Sequence, residues 1–334
     1  MTYATMKARA TALLDALVAG APVESAYHDN SVWRGVHPFN ERRGHAQIAD
    51  VWNTLRTAIP DMERRNQMVL GGPNLPDARV QTERSADLVA CSGVLQGTMR
   101  GDLLSIPATH GTVSIRFCEA HELRDDKIVQ SWVMFDLLDL MRQAQCWPLP
   151  QSLGAEAQWQ PPATGDGVRL STSTTDSSAM DTVLKMHGAL GNFDGKSLDS
   201  MNHGHYWTDT FMWYGPAGIG STRGLDGFRA HHQIPFLRAY NDREGAGHYI
   251  RISDGPYAVT GGWPSVRGTH TGEWLGMAPT GRMIEMRVMD FYRLEGDKIA
   301  ENWVPMDVIH IALQMGVDLF ARARHMTGQP DLTL

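Results

Sequence analysis

The chain has 334 residues, 42% of them hydrophobic and 20% charged, with a formal net charge of −7. That length suits two domains of about 150 residues, each able to bury its own core. The acidic balance gives no reason to expect nucleic acid or an anionic membrane as partner, and no apolar run approaches the roughly 18 residues that a bilayer span needs.

The first residues, Met1 to Lys7, lead into an amphipathic segment and not a signal-peptide core, so the cytoplasm is the expected compartment. Residues 5–19 place Met6, Ala10, Leu13, Leu14 and Leu17 on one helical face. Residues 27–35 read as a strand carrying Trp33, and 44–59 as a helix with Ile48, Val51, Trp52 and Leu55 on one side. Strands follow at 68–70, 87–98, 112–123 and 128–135, then a helix at 137–145. Cys91, Cys118 and Cys146 lack paired spacing and fit a reducing compartment. Residues 147–178, rich in Pro, Gly, Ser and Thr, read as a linker long enough to lie partly against a domain surface. The order then recurs: helix 180–190, strand 206–214, helix 225–239, strands 249–252, 257–262, 266–275, 283–294 and 299–306, helix 308–315, and a polar tail.

The recurrence extends to the residues. Positions 97–143 align with 268–314 without a gap, with roughly 14 identities in about 47 positions. Trp132 falls on Trp303, Asp136 on Asp307 and Gln143 on Gln314. A second block matches Trp33, Gly35 and Arg43-Gly44 to Trp213, Gly215 and Arg223-Gly224. The chain is therefore expected to be a tandem duplication: a first domain at 1–146, the linker, a second domain at 179–320, and a tail at 321–334. In each half, helices followed by antiparallel strands predict an α+β domain, a strongly bent antiparallel sheet wrapped around helices into a cone. Two such cones in one chain would form a pseudo-dimer, and each would enclose an apolar pocket. In the turn Glu295-Gly296-Asp297-Lys298, Gly296 is expected to take the left-handed conformation of a hairpin.

Gly268-Thr269-His270-Thr271-Gly272, Gly276-Met277-Ala278-Pro279-Thr280-Gly281, Gly296-Asp297-Lys298-Ile299 and Trp303-x3-Asp307-x6-Gln314-Met315-Gly316, taken together, resemble the SnoaL-like polyketide cyclases of the nuclear-transport-factor-2-like superfamily. The opening of the second half fits too, with Asp209, Trp213, Gly215 and Gly224 in place. The first half departs from the pattern, with Met99 where His270 stands. The resemblance implies a cofactor-free reaction, an intramolecular aldol condensation, with an acid/base aspartate at the end of the last strand. That role falls on Asp307 and, in the first half, on Asp136.

An aspartate between an apolar strand and a helix would have a raised pKa if it pointed into the cone. The same position also serves as a helix N-cap. His270, in a strand rich in Gly and Thr, is the second catalytic candidate. Trp303 and Asp307 share a strand face, and symmetric pairing about the turn would put Asp290 and Met286 on it. Tyr292 and Trp213 complete the binding set there. The first-half counterparts are Trp132, Glu119, His121 and Trp33. A one-residue bulge would turn part of this face outward. His203, His205, His231 and His232 show no third metal ligand at a recognisable spacing, so neither a metal nor a cofactor is expected. Two functions fit: an acid/base enzyme acting on a small, largely apolar carbonyl or enol compound, or a binding or assembly module in which the aspartates only cap helices.

Overall fold

A computed structural model of the chain describes residues 1–80, 86–172 and 175–328. The first half comprises α1 (Tyr3–Val18), β1 (Tyr27–Gly35), β2 (Glu41–Arg43), α2 (Gly44–Ala58), β3 (Glu63–Pro73), β4 (Asp87–Thr98), β5 (Thr112–Arg124), β6 (Lys127–Phe135) and α3 (Leu137–Gln143). The second comprises α4 (Ser178–Leu190), α5 (His203–Tyr206), β7 (Trp207–Tyr214), β8 (Thr222–Arg223), α6 (Gly224–Phe228), α7 (Ile234–Ala239), β9 (Glu244–Gly245), β10 (Ile250–Asp254), β11 (Tyr257–Thr269), β12 (Met283–Glu295), β13 (Lys298–Trp303), α8 (Val308–Gln314) and α9 (Leu319–Met326).

Each half builds its own sheet, in the orders β2-β1-β6-β5-β4-β3 and β8-β7-β13-β12-β11-β10, and β9 also pairs with β11. The architecture is α+β and duplicated, as expected. One detail differs: each sheet holds a parallel pair, β1 with β6 and β7 with β13. The last strand of each half leaves its predecessor by a tight hairpin, closed at Arg124–Lys127 and Glu295–Lys298, and runs alongside the first strand in the same direction. The apolar face of α1, with Ala10, Leu14 and Leu17 fully buried, closes the first sheet. At the turn between β12 and β13, Gly296 has φ +63°.

The predicted helix at 225–239 is interrupted. A π-turn, Arg229–Gln233, separates α6 from α7. Gly224 answers Gly44 and Ala239 answers Ala58, so the second copy holds one more residue over this span than the uninterrupted α2. A π-turn absorbs a single inserted residue without breaking the helix. Pro235, which has no N–H to donate back along the helix, follows directly.

The two predicted strands 257–262 and 266–275 are one strand, β11, with a register shift between Gly262 and Val266. The counterpart of β3 is split into β9 and β10, leaving His248 in the gap. The linker lies against both halves. Val168 bridges Val69 of β3, and the Gln160 carbonyl accepts a hydrogen bond from the Trp303 indole at 2.8 Å. The tail is not wholly polar in its contacts, since α9 buries Leu319, Phe320 and Ala323. No helix among the described residues is long and apolar enough to cross a membrane.

Candidate functional site

A cavity of 690 Å³ opens inside the second cone, a volume suited to a small organic ligand. One wall comes from alternate residues of β12, namely Met286, Val288, Asp290 and Tyr292, and from Asn302, Val304 and Met306 opposite. Period-two alternation puts these side chains on the concave face. The other wall is aromatic, built from Trp207, Trp213, Phe228 and Phe236. There the His232 ring stacks on Trp213 with centroids 4.3 Å apart, and His203 stacks on Trp207 at 5.7 Å. The π-turn delivers His232 and Gln233 to this wall.

Asp290 is half-buried, with its free surface on the cavity. Burial pushes its carboxyl up to about 7, against the opposing pull of hydrogen bonds from Asn302 and Tyr292. The Asn302 amide lies 3.4 Å from Oδ1. The Tyr292 hydroxyl lies 3.0 Å from His187 Nε2. Burial drives the cavity histidines the other way, His187 and His203 down to about 4 and His232 and His248 down to about 3. These imidazoles are neutral at pH 7, while the Asp290 carboxyl sits where it can gain or lose a proton. Among the described residues, no three His, Cys, Asp or Glu side chains gather where they could hold a metal ion.

Of the catalytic and binding candidates named from sequence, Asp290, Met286, Tyr292 and Trp213 line this cavity. The others lie elsewhere. Asp307 is buried at the seam between the halves. Its Oδ1 accepts from the His310 amide at 3.1 Å, capping α8, and its Oδ2 accepts from the His37 amide of the first half at 2.8 Å and from Arg287 at 3.2 Å. Asp136 mirrors it: Oδ1 accepts from the Asp139 amide at 3.0 Å, Oδ2 from Ala217 of the second half at 3.1 Å, and Arg116 lies 3.3 Å away. The expectation that these two aspartates reach into the cones is corrected: all four oxygens are engaged in caps and cross-seam bonds.

The reason is the register. β12 and β13 pair symmetrically at Glu295–Lys298 and Leu294–Ile299, and then Ala300 bulges so that Phe291, not Asp290, faces Trp303. One extra residue sends the remainder of the strand to the opposite face. Trp303 therefore points away from the cavity and stacks on Tyr214 at 5.2 Å. Trp132 is turned out in the same way and stacks on Tyr249 of the second half at 5.9 Å. His270 is buried outside the cavity, with Nδ1 3.2 Å from Thr280 Oγ1, where it pins its own loop.

In the first half, Glu119 and His121 do face inward, but the space is taken. Arg64 forms an ion pair with Glu119, and His121 lies 3.3 Å from the same carboxylate. Arg64 lies 4.2 Å over the Phe117 ring. Trp33 packs against Phe39 and Phe135. The same ladder positions in the second half hold smaller or more flexible residues. Phe117 pairs with Phe135 where Val288 pairs with Met306, and Arg64 opposite Leu95 becomes Gly245 opposite Val266. These three exchanges open the second cone.

The SnoaL-like polyketide cyclase family matches residues 11–144 and 196–315. The chain belongs to that family, in two tandem copies. Similar solved structures include IdmH of Streptomyces antibioticus (19% identity, 42% of this chain and 98% of that one, TM-score 0.33) and TsrD of Streptomyces laurentii (20%, 43% and 98%, TM-score 0.34). A protein of ketosteroid isomerase-like fold from Catenulispora acidiphila is also similar (11%, 41% and 92%, TM-score 0.30). No curated protein matches the chain. The family was legible in the motifs, but the open cone and its Gly245 were not, because nothing in a single sequence says which inward residues fill a cone.

Proposed function

We propose that the second half is a cofactor-free acid/base catalyst of the cyclase or isomerase type, acting on a small, flat, largely apolar carbonyl or enol compound. The observation that carries this reading is a carboxyl brought to about pH 7 on the wall of a 690 Å³ cavity whose other wall is aromatic. Ionised Asp290 takes a proton from the carbon beside the carbonyl; the C–H electron pair becomes a C=C bond and the carbonyl π pair moves onto oxygen, giving an enolate. The Tyr292 hydroxyl, held high above its ordinary pKa by burial, stays protonated and supplies a hydrogen bond beside that carboxyl. Asp290 then returns the proton, to a different carbon in an isomerisation. In a cyclisation it protonates the alkoxide formed when the enolate carbon attacks a second carbonyl.

The test needs no knowledge of the natural substrate. Enolisable aromatic ketones are incubated with the protein in D₂O, and loss of the proton beside the carbonyl is followed by NMR. The wild type should speed exchange for some of the panel, and Asp290→Asn should lose about 100-fold or more while Asp307→Asn keeps it. Exchange that survives in Asp290→Asn, or none in the wild type, sinks the proposal. The non-catalytic alternative draws support from the cap and seam bonds of Asp136 and Asp307, which explain those two residues without any reaction.

A further inference from the structure

Exposed lining residues, Gly191, Asn241, Asp242 and Glu244 among them, mark the cavity mouth. Four side chains there carry formal charge besides Asp290 within. Three are already matched. Both Asp242 oxygens accept from Thr269, through its amide and its hydroxyl. Glu244 pairs with Arg267. Arg79, which the first half extends to this mouth, makes two hydrogen bonds to Asp77. Arg243 is different. Its Nη2 lies 3.4 Å from the Leu190 carbonyl and 3.7 Å from Met201 Sδ, and its guanidinium carbon is 5.9 Å from the Phe193 ring centre. Among the described residues no carboxylate reaches it.

We infer that Arg243 is the anchor for an anionic group on the ligand, a carboxylate in the first instance. A half-buried guanidinium has lost part of its water and gained no anion, and its remaining N–H groups at the cavity wall form the fork that a carboxylate fits. Burial alone lowers its pKa, with no acid acting in the opposite direction. The ligand would then be a two-ended molecule, with its acidic end at the mouth and its carbonyl on the inner wall beside Asp290. This rests on the cavity being the ligand site proposed above and adds the class of compound it selects.

A matched pair of probes tests it. 3-Hydroxy-2-naphthoic acid and its carboxamide share a flat ring system and differ in charge at pH 7. Quenching of the fluorescence of Trp207 and Trp213, which line the cavity, reports binding. The acid should bind the wild type at least about tenfold more tightly than the amide. Arg243→Gln should erase that preference without weakening the amide, and Arg243→Lys should restore part of it. Equal binding of acid and amide to the wild type, or a preference that survives in Arg243→Gln, overturns the inference and leaves the deuterium-exchange reading standing. Failure of both probes to bind the wild type overturns the two together. Should Arg243→Gln not fold, because the link to the end of α4 matters more, the wild-type comparison and Arg243→Lys still decide.

Discussion

Asp290 and Asp307 have the same side chain and both have a pKa raised by burial, yet only one faces space that a substrate can enter. Burial moves Asp307 up to about 6, against the Arg287 guanidinium and two backbone amides. It moves Asp290 up to about 7, against an amide and a phenol only. A carboxyl committed to three N–H donors cannot take a proton from a substrate without giving up those bonds. Asp290 can. Its ionised form is the base, so the exchange rate should climb with pH through about 7 and level off above. Tyr292→Phe removes a hydrogen bond that favours the ionised carboxyl, so it should move that limb to higher pH and lower the plateau by roughly tenfold. A pH profile of the wild type that is flat between 5.5 and 8.5 would mean another group moves the proton. Asp290 and Tyr292 were both readable as alternate residues of one strand. That Asp290 and not Asp307 lines the cavity was not readable, because the two differ in surroundings and not in local sequence.

Two irregularities decide what the cone contains. The bulge at Ala300 removes Trp303 and Asp307 from the cavity and brings in Asn302, Val304 and Met306. The π-turn brings in His232 and Gln233. Hydrophobic periodicity located both elements to within three residues at each end, but a bulge conserves composition and leaves little trace in it. The exchange of Phe117 and Phe135 for Val288 and Met306 is of another kind. It is visible by aligning the two halves, and its meaning becomes clear once the pairs are seen to lie on one rung. Reversing it gives a prediction. Val288→Phe with Met306→Phe should fill the second cone as the first is filled. The added rings enter existing space, so the melting temperature should hold or rise, while binding of the naphthoic acid probe should fall by at least about tenfold. Undiminished binding would place the probe elsewhere.

The seam between the halves uses equivalent residues on both sides. Asp136 reaches Ala217, and Asp307 reaches His37. Gly72 of β3 lies against its counterpart Ser253 of β10, where an added Cβ would come within 2.5 Å of the Ser253 carbonyl oxygen. Lys7 and Asp254, both fully buried, form an ion pair across the seam at 2.6 Å.

The same burial that fixes this seam also sets the pH range the molecule tolerates. Asp136 and Asp307 titrate near 6 in the fold and at 3.8 when exposed, because burial outweighs the adjacent arginine. As pH falls below about 6 the folded chain takes up their protons first, and these groups favour the fold increasingly down to 3.8. The histidines work in the opposite direction. His187, His203 and His310 are lowered by burial to about 4, and His232 and His248 to about 3, from 6.5. Each favours the fold in full above 6.5 and loses that contribution as pH falls toward the folded value, because the unfolded chain is protonated first. The histidines outnumber the acids, even with Asp290 counted, so the free energy of unfolding in urea should fall between pH 6.5 and 5. Asp307→Asn removes one opposing group, so its loss over the same interval should be steeper, on top of about 1–3 kcal/mol lost at pH 7 for the broken cross-seam bonds. A wild type more stable at pH 5 than at pH 7 would show that the imidazoles around the cavity are already charged. The aromatic wall they share with Trp207 and Trp213 would then be a cationic surface and not a neutral one.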